Sequence, residues 1–417
     1  MSDHLQFTTL ATRLRLRLSP LIRMRPVLRI ALGDLISKAL LVGINLYLIR
    51  SLAVEQYSHF TMLLNAVFVG YQLACGPLER LYIAEHERYR AHLTSLRLIL
   101  SIGSASAGVL WLWKSIIWTD VLLIFFGVFI LASYQVMRIR LQQSLDFTLF
   151  SLSEILKNGM WLVLLLLLLS VQIFPPGTSS LLSLLVGTLV TMSVLKVAAG
   201  SRLPVLAKRG SRSEIPRVLW DARYVISYSL IGAVVPYLPV MIATTIGSDE
   251  ITATYGAVMR YQAILGMAVF AFNTVLLPQM ASLGRDAVKR SLLMQRLKRC
   301  APWVLLLFAG TISVIWFVIP YIDQGKYPLL RLTFLILSMT PILSLVSAPY
   351  INILLVDGRA RTVLACFSAG LTVNVIVYFL LGASQNLLAP AWASLLAYLT
   401  ITIATVICAN KAQRFAK

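Results

Sequence analysis

Long apolar runs broken by short polar stretches set the pattern of this chain. A helix needs roughly 20 apolar residues to cross a hydrocarbon core about 30 Å thick. About twelve such runs are present, near 28–49, 57–76, 98–118, 121–137, 158–174, 181–199, 224–246, 253–281, 301–320, 332–356, 362–382 and 390–409. The fourth and fifth are short and meet at the polar stretch RIRLQQSLDF. At one end of these helices the connections are all brief: RSLAVEQ, FPPGTSS, GSDEIT, YIDQGKYPLLR and GASQNLLA. None has room for a domain that would hold an acceptor, which argues against a polymerase or ligase. The longest connection, near 200–223, is basic and falls close to the midpoint, so it reads as a linker between two six-helix lobes, 1–209 and 210–417.

A faint repeat agrees with that division. Tyr57 opens the second run and Tyr255 the eighth, each after a short loop, and Pro77 and Pro278 follow at similar distances. Duplicated bundles of this kind place a substrate site where the halves meet, near the membrane midplane. In this repeat Met62 stands where the second half has Arg260, so basic charge at that depth is expected from the second lobe alone.

Composition places the chain in a membrane. It is 59% hydrophobic and 13% charged, with mean hydropathy +0.82, whereas soluble domains carry about 25% charged residues. The expected class is therefore an all-α integral membrane protein. No cleavable signal peptide is evident, because the first run is long, contains Asp34 and Lys38, and has no small-residue cleavage site behind it.

The net charge of +21 is distributed by topology. Most of the 37 Lys and Arg fall in alternate breaks, whereas the opposite breaks hold only Arg50, Lys114, Lys326 and Arg331. By the positive-inside rule both termini are cytoplasmic, and a nucleic-acid partner is not indicated. The basic RLRLRLSPLIRMRP before the first run reads as an anchor touching anionic lipid. Only Lys38 and Arg260 then remain inside runs. The four Cys form no CxxC pair and point to neither metal nor disulfide.

Arg260 is the leading candidate. It lies about 10 Å inside the run ATYGAVMRYQAILGMAVFAFNTVLLPQM at 1.5 Å per residue. A guanidinium at that depth costs at least ~2.5 kcal/mol and needs a cavity, a partner or an anionic ligand. Packing against backbone carbonyls is the plainer alternative. Asp34, Lys38 and Asn45 share a helical face within about 40°. They form either a polar cavity wall or an internal pair with Lys38 reaching outward. Thr61, Asn65 and Gln72 share a face that points into the bundle, as cavity lining or as interhelical hydrogen bonds. Arg50 is interfacial, and Asn374 is a lone amide that suits helix–helix bonding or a ligand. Pro236 and Pro239, and later Pro341 and Pro349, should kink their helices.

Enzyme signatures are poor. His86-Glu87 followed by His92 has the wrong spacing for zinc. There is no paired-acid motif for a magnesium-dependent transferase and no P-loop, so neither a cofactor nor a catalytic residue is assigned. Energy would come from ion gradients, the membrane potential or mass action.

Several stretches resemble polysaccharide-biosynthesis flippases, the O-antigen-type exporters of the multidrug/oligosaccharidyl-lipid/polysaccharide (MOP) superfamily. LIRSLAVEQYSHFTML is similar to their L-x-R-x-L-x-x-x-x-Y-G opening, through Arg50, Leu52 and Tyr57, with Ser58 in place of Gly. ATYGAVMRYQAI and LLPQMASL resemble the start and exit of their eighth helix, and NILLVDGRARTVLACFSAGLTVNVIVYFLL their tenth and eleventh, with Asn374 on a recurrent Asn. The Asp-Arg often found in their seventh helix is absent; VVPYLPVMIA stands there.

The resemblance implies a V-shaped bundle of two six-helix lobes in a bacterial inner membrane. By alternating access it would move an undecaprenyl-pyrophosphate-linked oligosaccharide, alongside membrane lipids and other polysaccharide assembly proteins. Arg260, with Lys38 and Arg50, would bind the pyrophosphate, while Asp34, Asn45, Thr61, Asn65, Gln72 and Asn374 would line the cavity. A cation-coupled multidrug exporter, using Asp34, is the rival reading, and an integral-membrane lipid-sugar transferase the third.

Overall fold

The computed structural model describes residue 33 and residues 36–84, 93–113, 115–143, 147–200, 215–221, 223–246, 248–283, 287–327, 329–382 and 386–414. Asp34, the basic N-terminal arm and the His86–His92 segment lie outside the described residues. Within them the chain is helical and carries no strand. The helices are α1 (36–51), α2 (Val54–Ala84), α3 (Leu93–Leu112), α4 (Trp118–Gln143), α5 (Phe147–Val171), α6 (Pro176–Ala199), the short α7 (Ile215–Asp221) and α8 (Arg223–Val234). They continue with α9 (Leu238–Ile246), α10 (Asp249–Leu283), α11 (Ala287–Asp323), α12 (Leu330–Val356), α13 (Ala360–Gly382) and α14 (Ala389–Arg414).

Every expected run has its helix. Among the described residues, ten helical stretches are long and apolar enough to cross a membrane. The other two are α1, described from residue 36, and α10, which has 35 residues. Their outward faces carry large exposed apolar side chains such as Leu110, Trp303, Phe317 and Phe379, as a lipid-facing surface requires.

The seventh run is broken where its prolines stand. Pro236 removes a backbone donor, and Val235–Tyr237 tighten into a 3₁₀ turn between α8 and α9. By contrast α12 continues through Pro341 and Pro349, and α11 through Pro302 and Pro320.

Helices before residue 200 pack mainly among themselves, as do those after 215. The chief packing between the two sets runs through α2, which lies against α10 toward one end and α8 toward the other. One apolar core joins both sets, with Ile44, Leu48, Tyr57 and Leu63 meeting Tyr255, Tyr261 and Phe334. At the end with basic connections, Leu78, Leu96, Val136 and Ile139 pack against Leu219, Val225 and Ile226. The lobes therefore touch at both ends of α2.

Candidate functional site

The repeat pairs α2 with α10, and these two helices pack side by side in parallel. At the sparsely charged end Ser58 Oγ donates to Asp249 Oδ1 at 2.7 Å. Two turns further in, Gly256 faces Thr61 so closely that a Cβ at 256 would overlap the Thr61 side chain. Small residues permit such approach between membrane helices. Gly256→Val should wedge the lobes apart and lower stability by about 1–3 kcal/mol, the usual cost of overpacking. Thermal unfolding of the purified protein measures this, and Thr61→Ala should restore part of the loss.

One turn beyond Gly256 stands Arg260. It faces α2, where Tyr57, Thr61, Asn65, Phe68 and Gln72 recur every three or four residues along one side. The guanidinium carbon lies 5.9 Å from the Phe68 ring centroid, within cation–π range. Its charge also acts on the Tyr57 and Tyr237 phenols. Arg260 Nε, Thr61 Oγ1 and Asn65 Nδ2 are buried without a protein hydrogen-bond partner. Among the described residues no carboxylate pairs with Arg260. A cation held between two lobes without a counter-charge is costly, and the cost is relieved when an anion arrives.

The first lobe carries a charge cluster of its own. Arg138 and Lys157, expected in a cytoplasmic connection, lie within α4 and α5. Both pair with Glu154: Arg138 Nη1 at 2.9 Å from Oε1 and Lys157 Nζ at 2.7 Å from Oε2. The Tyr134 hydroxyl adds a third bond at 3.2 Å, and Arg138 stacks 4.6 Å from the Phe150 centroid. Helices α4 and α5 thus run past the first charge, where a hydropathy reading stops, because Glu154 compensates the cations they carry. Tyr71 links this cluster to the second lobe. Its phenol feels the charges of Glu154 and Arg138 and lies near Tyr237, and it accepts a bond from Gln72 Nε2 at 2.8 Å. Arg138, Glu154, Lys157, Tyr71 and Tyr237 escaped the sequence reading; only the proline pair beside Tyr237 marked the spot.

The remaining sequence candidates scatter. Lys38 is partly buried on α1. Asn45 is buried and bonds its own helix, Nδ2 to Leu41 O at 2.6 Å. Asn374 is fully buried between α13 and α14, with Nδ2 3.4 Å from Ser394 Oγ, so it ties helices within one lobe. The Arg50 side chain is exposed at the end of α1. Its carbonyl makes the interlobe contact instead: Lys326 Nζ donates to Arg50 O at 2.6 Å and Leu52 O at 3.1 Å. A lysine from one lobe thereby caps the C-terminal carbonyls of a helix in the other.

No model of a known protein family matches the chain, and no curated protein sequence matches it. Solved structures do match over most of its length. A lipid II flippase, MurJ, in an inward closed conformation aligns with TM-score 0.70 at 9% identity, over 91% of this chain and 87% of its own. A multidrug resistance MATE transporter of the MOP superfamily, inward-facing, aligns with TM-score 0.68 at 12% identity, over 93% and 98%. A point mutant of the Vibrio cholerae MATE transporter VcmN aligns with TM-score 0.58 at 14% identity, over 94% and 97%. The chain shares the fold of these structures.

Proposed function

We propose that this chain is a flippase of a bacterial inner membrane, moving an undecaprenyl-pyrophosphate-linked oligosaccharide for surface polysaccharide by alternating access. The observation that carries the reading is Arg260, set at the junction of the lobes with no carboxylate partner among the described residues. A guanidinium offers a planar fork matched to phosphate oxygens, and the Arg138–Glu154–Lys157 cluster gives the first lobe a net positive charge of its own.

A place for the lipid chain adjoins it. Beside Arg260 in sequence, Tyr261 and Ile264 line an apolar groove of about 750 Å³ with Leu46, Trp303, Leu306 and Val314. One helix thus presents a cation to the junction and an apolar wall to the groove, as an anionic head on a long hydrocarbon requires. The positive-inside pattern sets both termini in the cytoplasm and the sparsely charged end outside. Membrane lipids and other polysaccharide assembly proteins are the expected partners, and the lobes divide near residue 209.

Multidrug export shares the fold. Its acid in the sequence reading, Asp34, lies outside the described residues, and Glu154 already holds two cations. Deleting the chain from its host separates the readings. Lipid-linked repeat units should accumulate on the cytoplasmic side with drug sensitivity unchanged; increased drug sensitivity with normal surface polysaccharide would reverse the assignment.

A further inference from the structure

Helix α11 is longer than a membrane crossing requires. Its 37 residues reach about 55 Å at 1.5 Å per residue, against a hydrocarbon core of about 30 Å. The surplus lies at the end with basic connections, ahead of Trp303. That side chain is 74% exposed and of the type that settles at a membrane boundary. One face of the surplus packs on the second lobe. Leu293, Met294 and Leu297 lie against Leu276, Met280 and Ile353, and Arg290 is buried with Nη1 2.9 Å from Asp357 Oδ1.

The opposite face carries Leu292, Arg296, Arg299 and Trp303, all exposed. Offsets of four, seven and eleven residues keep them within about 60° of one another. Arg299 and Arg296 stand about 6 and 10 Å beyond Trp303 by helical rise, at headgroup depth. Among the described residues neither forms an ion pair. The same face continues inward as Leu307, Gly310 and Val314, which line the apolar groove of about 750 Å³. A Cβ at Gly310 would meet nothing within 4 Å, so the groove is open there.

The length of the groove selects its occupant. Its residues on α11 run from Trp303 to Ile322, about 28 Å of helix and nearly the whole hydrocarbon core. A phospholipid acyl chain ends near the midplane, about 15 Å down, whereas one polyisoprenoid chain can follow the groove from end to end. Positive-inside bias sets the end of a helix on which basic residues fall, but not the face; these two stand over the groove. We propose that Arg296 and Arg299 hold the phosphate of a polyisoprenoid lipid at the cytoplasmic boundary while its chain lies in the groove. The identity of the lipid rests on the flippase reading. The site itself is a second phosphate position, at the membrane boundary and separate from Arg260 between the lobes.

The test measures binding without transport. Purified full-length protein in phosphatidylcholine nanodiscs is cross-linked by light to undecaprenyl phosphate bearing a diazirine on its chain, and adducts are mapped by mass spectrometry. They should fall on α11 between Trp303 and Ile322. Unlabelled undecaprenyl phosphate should displace the probe at a mole fraction at which phosphatidylglycerol does not. Arg296→Gln combined with Arg299→Gln should lower adduct yield about tenfold or more. Gly310→Trp, which fills the groove from a position with open space, should lower it several-fold with both charges intact. Arg359→Gln combined with Arg361→Gln removes two exposed cations near the start of α13 and should leave it unchanged. Equal loss in that control pair, equal displacement by phosphatidylglycerol, adducts away from α11, or undiminished adducts in either α11 variant would overturn the docking site. The flippase reading would then still stand or fall by the deletion phenotype.

Discussion

Arg260→Ala should abolish export while leaving the protein folded in the membrane. The two effects run in opposite directions for one reason. Among the described residues Arg260 has no carboxylate partner, so its removal orphans no buried acid. It also relieves the cost of holding a guanidinium at depth, at least ~2.5 kcal/mol on insertion scales. Thermal stability should therefore be unchanged or higher. Binding loses what stability gains. Two charge-assisted hydrogen bonds to a phosphate, at about 1.5–3 kcal/mol each, amount to a fall in affinity of roughly 100-fold or more. Arg260→Lys keeps the charge but not the fork and should fall between, losing about tenfold. Unfolding temperature and flipping of a lipid-linked oligosaccharide, measured on the same preparations, check both halves. A variant that is stable and exports normally would remove Arg260 from the site.

Much of the fold could be read from the chain because membrane helices announce themselves by length and hydropathy. Each apolar run became a helix, and the Tyr57–Tyr255 repeat picked out the pair that packs at the centre. Arg260 was legible for the same reason, as an isolated charge in an apolar run. What stayed hidden depends on neighbours distant in sequence. Glu154 and Lys157 are three residues apart and look like a solvated pair at a helix end. Only the packing of α4 on α5 brings Arg138 to the same carboxylate. Lys326 looked like an ordinary loop cation, although its bonds cross to the other lobe. Asn374 shows the converse: a lone intramembrane amide whose contact proves local, to Ser394 on the next helix.

Glu154→Gln should strongly destabilise the first lobe. The side chains of Arg138, Glu154 and Lys157 are only 17–18% exposed, and one carboxylate holds both cations. Neutralising it leaves two buried charges beside an amide, and breaking a buried pair in this way costs about 3–5 kcal/mol. Against a typical total stability of about 5–15 kcal/mol, that is a large share. The neutral glutamine keeps the shape and can still accept from Tyr134, so the loss reports charge and not volume. Replacing all three, as Glu154→Leu with Arg138→Met and Lys157→Met, should recover most of the stability, since whole buried ion clusters exchange for apolar groups at little cost. Export in that triple variant then shows what the cluster is for. Recovered folding without recovered export means that the cations serve the substrate alongside Arg260; recovery of both makes the cluster a helix clamp, with Arg260 alone carrying the anion.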